Sequence, residues 1–317
     1  MKKFAAGVDI GGTNTVIGIV DRDGNVVYEH SIPTQTHEKI EDFVAELCGE
    51  IKNGIQTLEG DFELVGIGIG APNANFYTGT IESAANLRWK GKIEFSKLVK
   101  NHFSVPVYLT NDANAAAIGE MIYGGAKKMK NFIVITLGTG LGSGIVVNGK
   151  LLYGQDGFAG EMGHVIVEPN GRVCGCGRHG CLEAYVSATG LVRTVSELMA
   201  YYNQPSGLRE IPFNKLTSKG IAMAAASGDF IAVEAIKKTG KRLGESLADI
   251  VAITSPEAIF LFGGLANAGK ILTDEVQHHM DKNMLYIFKS KTQLKLSQMN
   301  NNAAIMGASA LVWNEIE

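Results

Sequence analysis

Short apolar runs separated by glycine turns open the chain. Residues 4–10 (FAAGVDI) form one run and GGTN a turn. TVIGIV follows, then the turn DRDGN, then VVYEH. This alternation predicts three strands joined by tight turns. The period then changes. From about Glu38 to Leu58, apolar Ile40, Phe43, Val44, Leu47, Ile51 and Ile55 fall at helical spacing and predict a helix. LVGIGIGAP and VPVYLTNDA read as two further strands, one ending in a glycine turn and one at polar residues. NAAAIGEMIYGGA after them reads as helical.

The opening pattern then returns. NFIVITLGTGLGSGIVVNGKLLYG is again strand, glycine turn, strand, NG turn, strand. VDIGGT lies over ITLGTG, and DGNVVY over NGKLLY. A repeat this long implies two domains of similar design rather than a solenoid. Helices are expected around residues 190–201 and 228–253, then a strand at AIFLFGG and a closing helix at AAIMGASALVWNEI. No low-complexity linker separates the halves, so the expected cleft between them is tight.

Composition narrows the class. With 317 residues the chain is long for one core and comfortable for two. It is 45% hydrophobic and 19% charged, as in ordinary globular proteins. A net charge of -3 gives no reason to expect a nucleic-acid or membrane partner. No apolar run approaches the roughly 18 residues of a membrane span, and MKKFAAGVDIGG lacks the pattern of a secretory signal. The 4 cysteines are too unevenly spaced for a disulfide framework. A cytoplasmic protein is expected. The 39 glycines against 7 prolines point to tight turns and close approaches of backbone to a ligand.

Three groups of residues carry candidate chemistry. In DIGGTN, Asp9 ends a strand and Gly11 and Gly12 turn it. Their backbone N–H groups can close on a phosphate, Thr13 adds a hydroxyl, and Asp9 can hold Mg²⁺ through water. LGTGLGSG repeats that surface with Gly138, Thr139 and Gly140, and the FGG at Gly263 and Gly264 is placed to lie against a nucleoside. There is no GxxxxGK[ST] loop, and the segment after each turn is a strand, unlike a dinucleotide fingerprint. Asn111 and Asp112 follow a strand, where open α/β sheets place ligands. A carboxylate there can take a proton from a hydroxyl attacking phosphate, or simply cap a helix. Finally, Cys174, Cys176 and Cys181 lie within eight residues. A closed structural zinc site needs four ligands. His164 is the best fourth ligand, with His179 and Cys48 as rivals. Four protein ligands leave no open position, so the zinc is expected to be structural.

DIGGTN, NDANAAAIGE, TLGTGLGSGIV, GEMGH and CGCGRHGCLE occur in the order seen in the ROK family of sugar kinases and related repressors, with SATG following. The chain resembles bacterial ROK glucokinases most. The resemblance implies two ribonuclease-H-like (actin-like ATPase) α/β domains around a cleft, with a structural zinc loop at 164–181. It implies an N-terminal domain of residues 1–117 plus a returning helix at 301–317, and a C-terminal domain of 118–300. It implies ATP, Mg²⁺ and Zn²⁺ as cofactors, Asp112 as general base toward the 6-hydroxyl of glucose, and a homodimer or homotetramer. Asn86, Asn111, Glu161, His164 and Glu183 match residues that hold sugar hydroxyls. Asp9 through Thr13 and Gly138–Thr139 match the ATP phosphate sites. Such glucokinases often read NLPGW where this chain has NLRWK, which bears on the hexose. Kinases of N-acetylmannosamine or another N-acetylhexosamine are the alternative, ahead of fructokinase or allokinase. A sugar-responsive repressor carries a helix-turn-helix domain ahead of the kinase-like part, and a first phosphate motif at Asp9 leaves it no room.

Overall fold

The computed structural model describes residues 1–299 and 302–316. β1 (Lys2–Ile10), β2 (Asn14–Asp21) and β3 (Val26–Pro33) form an antiparallel meander. α1 (Ile40–Gln56) leads to β4 (Phe62–Gly70), which pairs parallel to β1. A small antiparallel sheet of β5 (Ala74–Asn75), β6 (Thr80–Glu82) and β7 (Lys92–Ile93) comes next. The short α2 (Phe95–Lys100) precedes β8 (Val107–Thr110), parallel to β4, and α3 (Asp112–Ile122). β9 (Phe132–Leu137), β10 (Leu141–Val147) and β11 (Lys150–Leu151) follow. Then come α4 (Glu183–Val186), α5 (Ala188–Tyr201), α6 (Ser218–Ala226) and α7 (Phe230–Thr254). β12 (Ala258–Phe262), α8 (Lys270–Asn283), β13 (Gln293–Leu296) and α9 (Ala303–Ile316) complete the chain.

The two five-stranded sheets have the orders β3-β2-β1-β4-β8 and β11-β10-β9-β12-β13. Each is three consecutive strands followed by two parallel ones, the structural form of the sequence repeat. Its turns agree as well: Gly24 in the β2–β3 turn and Asn148 and Gly149 in the β10–β11 turn all take positive φ, the conformation tight hairpins require.

The chain divides into one unit of Met1–Lys130, Gly144–Gly160 and Ser297–Glu317, and a second of Asn131–Ser143 and Glu161–Leu296. A boundary at 117 would cut through α3, whose hydrogen-bonded turns continue to Ile122, so the first unit extends to Lys130. The expected start of the closing helix at Asn301 lies outside the described residues.

In the first unit, side chains alternate across β1. Val8 and Ile10, with Ile17 and Ile19 of β2, pack against Phe43, Val44, Leu47 and Ile51 of α1. The other face carries Ala5 and Gly7, and α9 lies on it. A Cβ at Gly7 would overlap the carbonyl oxygen of Ile305, and one at Gly68 that of Ala308. These glycines let helix backbone rest directly on the sheet. Register sets Asp9 opposite Gly70 of β4, two residues beyond the Gly7–Gly68 pair. Asp9 therefore projects from the α9 face near the strand's carboxyl end.

In the second unit, Phe132 of β9 meets Phe260 of β12 edge to face at 6.0 Å, and both are buried. Helices α5, α6 and α8 pack on α7 in this unit. A Cβ at Gly244 of α7 would lie 2.5 Å from the carbonyl oxygen of Val276 in α8, so the two helices approach closely. No helix of the described residues is long and apolar enough to cross a membrane.

Candidate functional site

The chemistry-bearing residues of the first unit collect at the carboxyl ends of β1, β4 and β8, where parallel sheets place ligands. β1 ends into the Gly11–Thr13 turn, closed by the Gly11 N–H on Asn14 O at 3.0 Å. A Cβ on Gly12 would come within 3.1 Å of the Asn86 carbonyl oxygen. The phosphate-type turn and the loop carrying Asn86 are thus in contact. Gln35, which the sequence did not single out, joins them: its Nε2 donates to Asn86 O at 3.0 Å and also to Gly12 O.

The loop around Asn86 holds its shape without a proline-glycine turn. The Lys90 ammonium donates to the carbonyls of Ala84 and Ala85 at 3.1 Å each and Leu87 at 2.7 Å. The Trp89 indole N–H reaches Glu38 O at 3.1 Å. In NLRWK, Lys90 therefore gathers three carbonyls of this loop around one cation.

At the end of β8, capping and chemistry fall on different residues. Asn111 is the N-cap of α3, its side chain accepting from Asn114 N–H at 2.7 Å. Asp112 is therefore not needed as the cap. Its carboxylate accepts the Ala113 N–H at 2.8 Å and keeps solvent access. A Cβ on Gly70 would lie 3.7 Å from Asp112 Cα and 3.8 Å from Asp9 Oδ1, so the two aspartates flank one glycine. Protein packed around Asp112 raises its carboxyl above the usual range, while its own and the Ala113 backbone N–H groups pull it down. Burial, and then the negative charge of Asp112, push Asp9 up to about 6. A carboxylate so short of water and beside a second one is stabilised by a cation, so Asp9 suits a hydrated Mg²⁺.

In the second unit, the 138–140 turn follows β9 and Gly263–Gly264 follow β12, its parallel neighbour, with Thr136 opposite Phe262. Gly263 takes φ +103 and a Cβ there would meet Leu137 O at 2.8 Å. Only glycine fits that close crossing. Both glycine stretches thus sit at one end of two adjacent strands. Glu183 faces the first: its Oε2 accepts the Leu141 N–H at 2.9 Å.

His164, Cys174, Cys176 and Cys181 place their ligand atoms within 4.8 Å of one another. Cys176 Sγ and Cys181 Sγ are 3.7 Å apart, and His164 Nδ1 and Cys174 Sγ also 3.7 Å. A tetrahedron with Zn–S of about 2.3 Å and Zn–N of about 2.0–2.1 Å has edges of roughly 3.5–3.8 Å. The donor set and its spacing fit zinc. His164 turns Nε2 toward Glu161 Oε2 at 3.9 Å, the carboxylate partner a metal-bound imidazole commonly has. The rivals fall away. His179 Nδ1 faces Gly171 O at 3.2 Å, and Cys48 is buried in the core against α1's neighbours, its thiol raised to about 11 by burial. Burial would also raise Cys176, but Arg178 and the neighbouring thiols bring it down to about 6.

The mixed α/β sheets, the duplicated strand plan and the glycine turns at strand ends are consistent with an actin-like ATPase fold. The chain belongs to the ROK family, whose profile matches residues 5–315. It is 34% identical to a glucokinase of Halalkalibacterium halodurans over 98% of this chain and 95% of that protein. It is 34% identical to a glucokinase of Streptomyces coelicolor over 96% of each. Its fold is similar to the crystal structure of a ROK family glucokinase from Streptomyces griseus in complex with glucose and AMPPNP. That match has a TM-score of 0.82 and 30% identity, over 97% of this chain and 98% of the other.

Proposed function

We propose that this protein is an ATP-dependent hexokinase that phosphorylates the 6-hydroxyl of glucose. The observation that carries the reading is the division of labour at the start of α3. Asn111 satisfies the helix end, which leaves Asp112 with solvent access at the carboxyl edge of the sheet. Glucokinase relatives at 34% identity over nearly the whole chain support the substrate, and the Streptomyces griseus glucokinase complex with glucose and AMPPNP supports the donor.

Asp112 accepts the proton of the sugar hydroxyl as that oxygen forms its bond to the γ-phosphorus. The bond from that phosphorus to the bridging oxygen breaks, and ADP leaves. Its raised proton affinity brings the carboxylate nearer the range where a base works well. The Gly11–Thr13 and 138–140 turns, with Gly263 and Gly264, offer backbone N–H groups to the nucleotide phosphates. Asp9 would hold Mg²⁺ through water, and that ion supplies charge neutralisation on the phosphates. We assign Asn86, Asn111, Glu161, His164 and Glu183 to the sugar hydroxyls, following the family resemblance. His164, Cys174, Cys176 and Cys181 would hold zinc with no open coordination position, and the bound metal supplies a cross-link.

The test is turnover of ATP with glucose by the purified protein, read as ADP release and as the phosphorylated product. Glucose-dependent ADP release that stops in an Asp112→Asn variant supports the reading. ADP release that is independent of any sugar would reject it.

A further inference from the structure

The stretch 183–189, just after the metal cluster, makes three hydrogen bonds to the glycine turn that follows β9. Glu183 Oε2 accepts the Leu141 N–H at 2.9 Å. The Ala188 N–H donates to Gly138 O at 2.9 Å. Thr189 Oγ1 donates to Thr139 O at 3.1 Å. Three of the four residues 138–141 are therefore held from outside, and the fourth, Gly140, is a glycine whose Cβ would overlap the Glu183 carboxylate. Within itself the turn has the Gly138 N–H on Gly140 O at 3.1 Å.

The bracing stretch is itself rigid. Ser187 caps α5 by accepting the Gly190 N–H at 3.0 Å and donates to Glu183 O at 2.7 Å. Arg172 donates to Ala184 O at 3.0 Å and Gly190 O at 3.1 Å. Glu183 and Thr189 are thus fixed relative to each other by local bonds.

We propose that Glu183 and Thr189 are positioning residues for the 138–141 turn and that they set the affinity for the nucleotide. This rests on the kinase reading above. A glycine turn left free must lose backbone entropy when it orders around a phosphate. A turn ordered in advance does not, so a brace strengthens binding without touching the ligand. Glu183 Oε1 also lies 3.5 Å from Cys174 Sγ. One carboxylate therefore spans the metal cluster and the turn, and disorder in the metal loop should reach the nucleotide as well as the sugar.

Thr189 is exposed in the first turn of α5, so Thr189→Val removes the hydroxyl, with its bond to Thr139 O and its 2.9 Å contact with Ser187 Oγ, and leaves the apolar core alone. The experiment measures AMPPNP affinity by calorimetry, and amide hydrogen exchange at 138–141 without nucleotide. Thr189→Val should weaken AMPPNP binding about two- to tenfold, the worth of one hydrogen bond, and speed exchange in the turn. Thr189→Ser, which keeps the hydroxyl, should stay near the wild type, and hexose affinity should not change. Wild-type AMPPNP affinity in Thr189→Val, or equal weakening by Thr189→Ser, overturns the proposal. A wild-type protein that binds no AMPPNP would instead sink the kinase reading. The exchange rates would then still decide whether Thr189 holds the turn.

Discussion

Replacing Asp112 with asparagine should make the enzyme slower and its fold more stable. Asparagine keeps the shape and can still accept the Ala113 N–H that Asp112 accepts at 2.8 Å, so α3 should start unchanged. It cannot take a proton. General-base contributions run about 10²–10⁴-fold, or roughly 3–5 kcal/mol of barrier, and kcat should fall by that much with little change in glucose KM. The stability change follows from charge. Asp112's raised pKa means that all its surroundings together, the helix start included, disfavour the ionised form. Its charge also helps lift Asp9 to about 6 from 3.8. The folded state thus holds the Asp9 proton more tightly than the unfolded chain does. That cost is fully present above about pH 6 and fades as pH falls toward 4. The shift at Asp9 corresponds to roughly 3 kcal/mol, but burial is its larger cause. Removing the Asp112 charge should therefore return about 1 kcal/mol at pH 7, or roughly 1–2 °C in Tm for a chain of 317 residues. Coupled ADP-release kinetics and thermal unfolding at pH 7 and pH 4 read both effects. The Tm gain should shrink at pH 4, where Asp9 is protonated. A variant within tenfold of wild-type kcat would refute the base assignment, and one less stable than wild type at pH 7 would refute the charge argument.

Cys176→Ala should lose zinc, measured by metal analysis, and raise the hexose KM together; a zinc-free variant with normal hexose affinity would cut the link between them. Lys90→Met removes the cation that gathers three carbonyls around Asn86 and should raise glucose KM about three- to tenfold through the loss of charge-assisted bonds at an exposed site. Unchanged KM would show that Trp89 alone holds the loop. Gly68→Ala puts a methyl onto the Ala308 carbonyl, a backbone clash that should cost about 3 kcal/mol or more through displacement of α9. Denaturant unfolding of that variant at wild-type midpoint would contradict the packing described.

The features legible in the sequence are those fixed by local spacing. The apolar positions Phe43, Val44, Leu47 and Ile51 marked α1 because one helix face buries them all. The matched glycine turns marked the duplicated sheet because a hairpin needs its turn residues at set positions. His164 and the three cysteines were legible because thiols at such density have few other uses. What the sequence hid lies in contacts between distant segments. Nothing near Gln35 signals that its amide would join Gly12 and Asn86, 51 residues away in the case of Asn86. The same holds for Glu183 on the Leu141 N–H, 42 residues apart. Asn111 and Asp112 could each have capped α3, and only the observed bond to Asn114 assigns the role.

Transfer of the γ-phosphoryl group from ATP to glucose is the reaction expected of this chain. ADP release over a panel of glucose, mannose, fructose, allose, N-acetylglucosamine and N-acetylmannosamine tests it most directly. The highest kcat/KM is expected with glucose, and glucose 6-phosphate as the product. A clear preference for an acetamido sugar, or phosphorylation at a hydroxyl other than the 6-hydroxyl, would contradict it.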